Sequence, residues 1–262
     1  MKDILCPTDL SELGSIALDH AVHIAAALQA SITLLHVAGP SEQQGEAAAH
    51  VEQVLENEMA RVKDTVPIKH MVVNGQALPA IAHEAAHGHA LMVAGTHGPR
   101  GLRQKLFGAD ILDLVQHAGI PSLVVQKDSP VRNFDRIVMP VAGHADIHAL
   151  VDAVVDLATA FDAEVEIYQV DRPGEAPSEH LLANKARMRE RLTTAGVRHK
   201  EVSEEPTVYS IGFAQQTIAH AQKVGAGLIA IMAHASEEYR YIAQAEKERM
   251  LMNEALIPVL CC

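Results

Sequence analysis

Residues 83 to 89 read HEAAHGH and set His83 and His87 around Glu84 at the H-E-x-x-H spacing. On a helix that spacing offers zinc two imidazoles and a general base. The chemistry requires both rings to turn into a cleft with a third ligand, and Glu84 to stand over the bound water. Leu78, Ile81, Ala82 and Ala85 form the i, i+3, i+4, i+7 stripe of a helix that covers a sheet. At about 100° per residue, His83 and His87 fall about 140° and 180° from Leu78, on the water side of a helix predicted over 77 to 88. The pair therefore reads as a solvated face, where zinc or nickel binds adventitiously.

A different chemistry is carried by GTHGPRGLRQKLFGAD, residues 95 to 110. Gly95, Gly98, Gly101 and Gly108 let backbone N–H groups approach a ligand closely, and a helix starting at Gly108 turns its N-terminal N–H groups toward an anion. Arg100, Arg103 and Lys105 gather positive charge in an otherwise acidic chain, so phosphate suits this segment. In an open parallel sheet the ligand crevice lies at the carboxyl ends of strands where strand order reverses. If the first and fourth strands flank that reversal, Pro7-Thr8-Asp9 faces Ala94-Gly95-Thr96. Asp9 then either accepts hydrogen bonds from a base or sugar, or only caps the first helix together with Ser11. A third grouping, His144, Asp146 and His148 with His234 on a later loop, supplies nitrogen and oxygen ligands of the kind that hold zinc; the alternative is solvated or capping side chains.

The elements that must position these residues come twice. ILCPTDLS and ASITLLHV near the start are matched by IVMPVAGH and AEVEIYQV at a constant offset of 133, which puts Ile4 on Ile137 and Pro7 on Pro140. GIPSLVV at 119 to 125 is matched by LIPVLCC at 256 to 262, now at an offset of 137. Two copies of one domain follow, over 1–128 and 134–262, with a polar linker at 126 to 134. In each copy, short β-branched runs alternate with helical patterns, and strands such as LMVAG are apolar without alternation. This is the α/β pattern of a doubly wound parallel sheet covered on both faces. Strands are predicted near 2–7, 31–37, 66–73, 90–95 and 121–126, and helices near 11–29, 45–64, 77–88 and 108–118.

With Gly95, Gly98 and Gly108 spaced as G-x2-G-x9-G and Pro7-Thr8-Asp9 closing the first strand, the chain resembles a tandem universal stress protein. The resemblance implies two Rossmann-like domains, each with a five-stranded sheet in the order 3-2-1-4-5. It also implies ATP or another adenine nucleotide in the first copy, with Asp9 and Val37 at the adenine end. Ala94, Gly95 and Gly98 would meet ribose and phosphate, and Gly108 and Ala109 would close on the phosphates. Where the family's nucleotide binders carry Ser or Thr after the last Gly, this chain has Ala109 and then Asp110; a lost hydroxyl weakens binding and a carboxylate competes with phosphate. The second copy replaces the motif with Met232, Ala235 and Ala245, so it is expected not to bind nucleotide this way and to serve as scaffold. Family members pair through their last strands, which makes the fused copies a dimer within one chain and a further homodimer reasonable.

Composition sets the frame for all of this. The chain has 262 residues, 48% of them apolar and 3% aromatic, and a net charge of -12. Scarce aromatics and negative charge disfavour nucleic acid and anionic membrane as partners. No run reaches the roughly 18 apolar residues of a spanning helix. Cys6, Cys261 and Cys262 are too few for a disulfide framework, and the expectation is a cytoplasmic, non-enzymatic nucleotide-responsive protein.

Overall fold

A computed structural model describes residues 2–96, 111–171, 174, 176–205, 212–234 and 240–262. The chain divides into two compact units, Met1–Val131 and Arg132–Cys262. The first contains β1 (Asp3–Thr8), α1 (Glu12–Leu28), β2 (Ser31–Ala38), α2 (Gly45–Val62), β3 (Ile68–Asn74), α3 (Ala77–Ala85), β4 (Leu91–Thr96), α4 (Ile111–Ala118) and β5 (Ser122–Gln126). Its strands lie in the order β3-β2-β1-β4-β5 and pair in parallel. The second contains β6 (Arg136–Pro140), α5 (His148–Phe161), β7 (Glu164–Val170), α6 (Glu179–Thr194), β8 (His199–Glu204), α7 (Phe213–Lys223), β9 (Leu228–Ile231), α8 (Arg240–Leu251) and β10 (Val259–Cys261). Its order is β8-β7-β6-β9-β10, again parallel, so each unit is the doubly wound 3-2-1-4-5 sheet. No helix among the described residues is long and apolar enough to cross a membrane.

The repeat holds to the single residue. Ile4 pairs with Ile32 and, 133 residues on, Ile137 pairs with Val165. Ser122 sits opposite Met92 and, 137 residues on, Val259 sits opposite Ile229. The offset drops to 131 at the edge strands, where Ile68 corresponds to His199, before rising to 137 at Leu91 and Leu228. Length changes therefore fall in connections, where loop closure tolerates them. Even the first crossover stops alike: Gln29 and Asp162 adopt the left-handed conformation, at φ 52° and 51°. The next amide in each, Ala30 and Ala163, then bonds back to Ala25 and Ala158 at 2.9 Å.

Burial follows sheet position. All six residues of β4 are buried, because helices cover both faces of a central strand, whereas the edge strand β3 is half-exposed throughout its middle. The segment predicted as a linker is pinned at both ends. Ser129 is 6% exposed, accepts a hydrogen bond from the Gln126 amide and receives His20 Nε2 at its carbonyl. Phe134, 1% exposed, packs on Phe161 with ring centroids 4.9 Å apart.

The second unit also contains a buried ionic cluster. Glu166 on β7 is fully buried; Lys200 Nζ and Arg136 Nε stand 2.9 and 3.2 Å from Oε1, and His220 Nε2 is 2.7 Å from Oε2. His220 Nδ1 lies 3.2 Å from Glu204, and Tyr168 stacks on the imidazole while donating its hydroxyl to Glu204. Carboxylates thus stand at both nitrogens of the imidazole. Burial alone would raise the Glu166 carboxyl, but the adjoining Lys200 and His220 more than offset this and hold it below its usual range.

Candidate functional site

The crevice is made where two central strands part. β1 and β4 are paired only at Ile4–Leu91 and Leu5–Met92, after which Cys6, Pro7 and Thr8 no longer bond to β4. Pro7 has no N–H to donate, so the opening is partly written into its residue type. Above it, Thr8 Oγ1 accepts from the Leu10 amide at 3.1 Å, and Leu10 takes a left-handed φ of 61°. Asp9 Oδ1 accepts from both the amide and hydroxyl of Ser11, at 3.1 and 2.5 Å, and Ser11 is the N-cap of α1. Capping thus occupies one carboxylate oxygen, while Oδ2 makes no hydrogen bond among the described residues.

Val37 is 6% exposed on β2, and beside it His36 Nδ1 lies 3.0 Å from the Thr8 carbonyl. Spacing gave no reason to choose His36, whose role depends on the β1–β2 register placing it opposite Thr8. Ala94 is fully buried and Thr96 nearly so. Gly95 is required by packing: a Cβ built there would stand 2.6 Å from Leu13 Cγ and 3.2 Å from the Leu13 carbonyl. The second unit shows the complementary solution. Met232 takes the place of Gly95, while the positions of Leu13 and Gly14 hold Asp146 and Ile147 at the 133-residue offset. Gly98, Arg100, Gly108 and Ala109 lie outside the described residues, as does the predicted helix start at 108.

His83 and His87 are both exposed, as their spacing implied, with rings edge to face at 4.5 Å. α3 ends at Ala85 with Ala86 as its cap, so His87 is beyond the helix rather than on it, and its Nδ1 reaches the His83 carbonyl at 2.7 Å. Glu84 turns the other way, to His89 Nε2 at 3.1 Å, and His89 Nδ1 meets Asp3 at 2.7 Å. Glu84 is therefore a structural partner of a buried histidine and not a base over a metal-bound water. Replacing His83 and His87 by Ala is expected to change stability by no more than about 0.5 kcal/mol, and a chelator to leave the thermal midpoint unmoved; thermal unfolding with and without chelator checks both.

The four candidate zinc ligands of the second unit do not form one set. Asp146 and His148 are 78% and 76% exposed at the side chain and pair with each other at 2.6 Å, the carboxylate also accepting the His148 amide at the start of α5. His144 instead lies within electrostatic reach of Lys247 and His234, which with burial push its ring below the usual imidazole range. Among the described residues no three His, Cys, Asp or Glu side chains come together as a metal site.

A parallel sheet with a crevice at the reversal of strand order, made twice in one chain, defines a tandem doubly wound fold. Residues 1–126 match the model of the universal stress protein family. The first unit belongs to that family, and the second unit repeats its fold. A universal stress protein from Archaeoglobus fulgidus is 16% identical, covering 99% of this chain and 97% of its own, with a TM-score of 0.76. A putative universal stress protein from Pseudomonas aeruginosa is 17% identical over 100% of this chain and 92% of its own, with a TM-score of 0.60. A universal stress protein solved in complex with cAMP covers 48% of this chain and 98% of its own at 22% identity, with a TM-score of 0.41. No curated protein matched the chain in sequence.

Proposed function

We propose that the first unit binds an adenine nucleotide without turning it over, as the sensing element of a stress-response protein, with the second unit as its scaffold. The observation that carries this is the parting of β1 and β4 after Leu5–Met92, which opens a crevice between Asp9 and Gly95 at the root of the G-x2-G-x9-G segment. In this reading the base is assigned to Asp9 Oδ2 and Val37, and the phosphates to the glycine segment that begins at Gly95.

Ala109 and Asp110 tune this site downward, and their replacement is the test. Ala109→Ser supplies a hydroxyl donor whose hydrogen bond is worth about 0.5–1.5 kcal/mol, and Asp110→Asn removes a carboxylate from the anion's end of the helix. ATP affinity is expected to rise by about tenfold in the double variant, measured by calorimetric titration, with cAMP titrated alongside. If neither the parent chain nor the double variant takes up ATP or cAMP at millimolar concentration, the nucleotide assignment fails.

A further inference from the structure

We propose that the second unit holds its own small-anion site, in which Lys247, His144 and His234 receive a phosphate-like oxyanion at the carboxyl ends of β6 and β9. The crevice exists there too: β6 and β9 pair only at Ile137–Leu228 and Val138–Ile229, the counterparts of the two pairs that join β1 to β4. His144 follows β6 and His234 follows β9, one on each side of the opening. Lys247 on α8 occupies the position that Asp110 holds in the first unit, 137 residues earlier. The charge beside the anion's place is thus reversed between the two units.

Lys247 Nζ is the observation that demands a partner. It is buried from solvent and makes no hydrogen bond among the described residues. An ammonium in that condition is costly unless an anion joins it. Two acidic groups among the described residues close to Lys247 give it no counter-charge. Glu246 accepts the Ala214 amide at 2.6 Å, at the start of α7. The Cys261 thiol is pushed up by burial and stays protonated. Burial lowers Lys247 to about 8, which leaves it mostly charged at neutral pH. His144 is lowered to about 4 by burial, then by Lys247 and His234, so its ring is neutral and free to donate one hydrogen bond.

The site is also held in place. Asn184, 1% exposed on α6, donates from Nδ2 to the carbonyls of Ala142 and His144, both at 2.8 Å. This fixes the backbone that carries the His144 ring. The occupant is small, because the larger side chains of Met232 and Ile147 stand where the first unit has Gly95 and Gly14. Inorganic phosphate and the phosphoryl group of a small ester share the required chemistry.

The experiment is a titration of the full chain with inorganic phosphate near neutral pH, followed by NMR of the histidine rings so that the two units are observed separately. His144 and His234 signals are expected to move saturably, while the exposed His148 stays still. Lys247→Met should weaken that response by about tenfold or more, the loss of a charge-assisted hydrogen bond, and Lys247→Arg should restore most of it. A small phosphomonoester titrated in parallel identifies the source: tighter binding than phosphate points to an esterified ligand, weaker binding to the free ion. The proposal is overturned if the His144 and His234 signals do not move, or move equally in Lys247→Met while its His220 signal shows the fold intact. ATP uptake by the first unit is unaffected in either case, so the two assignments fail independently.

Discussion

Gly95→Ala is expected to destabilise the first unit by about 1–3 kcal/mol, the usual cost of forcing an extra methyl into a packed interior. Leu13, 2% exposed, is the side chain it would strike, and the Leu13 carbonyl stands behind it, so the strain cannot be relieved by rotating a flexible tip. Leu13→Ala alone should cost about 2–5 kcal/mol as a cavity. In the double variant the new methyl enters that cavity, and the two costs are expected to fall short of their sum by about 1–3 kcal/mol. Urea unfolding of the four proteins measures this directly. Strict additivity would show that the Leu13 contact is not what requires glycine. The result also bears on the nucleotide: loss of binding in a Gly95 variant reports on α1 packing before it reports on phosphate, which is why Ala109 and Asp110 are the better probes.

Glu166→Gln should cost the second unit about 3–5 kcal/mol, because it leaves Lys200, Arg136 and His220 around a neutral amide in a buried place. The pH dependence has a definite sign. The folded carboxyl is held below its ordinary value of 4.5, so above that pH it is ionised in both states and its contribution is fully present. As pH falls below 4.5 the unfolded chain takes up the proton first, and the contribution disappears as the lower folded value is reached. Urea unfolding at a series of pH values should therefore show parent stability falling through this window more steeply than that of Glu166→Gln. Equal slopes would mean that the cluster does not hold the carboxylate down.

Elements and crevice were legible in the sequence for separate physical reasons. Strand and helix positions came within a few residues because apolar runs and helical stripes are local signals, and the duplicated ILCP and IVMP segments fixed the unit count. Helix α3 ended sooner than its stripe suggested, since Ala86 caps it before Gly88 is reached. What stayed hidden depends on pairs far apart in the chain. His89 meets Asp3, and His220 meets Glu166, through sheet order that no spacing rule encodes. Gly95 read as a ligand residue because its clash partner, Leu13, lies on another element. Asp146 and His148 looked like metal ligands because both types coordinate; two residues apart at a helix start, they satisfy each other. Lys247 did have a signal, the exchange of Asp110 for lysine at the 137-residue offset.

The register shared by the two units makes their strands interchangeable while the chain is still unfolded. β6 fits beside β2 as well as β1 does by backbone geometry, and a tandem protein that pairs them wrongly is trapped in an interdomain misfold. The first rung of each sheet opposes that exchange. Asp3 sits opposite Ser31, whose hydroxyl it accepts, and Arg136 sits opposite Glu164, which it pairs as an ion at 3.3 Å. Crossing the partners would set Asp3 against Glu164, two carboxylates directly opposite, and leave Arg136 facing an uncharged serine. The four side chains therefore disfavour the crossed pairing: the copies differ at a rung where likeness would make the two pairings equivalent.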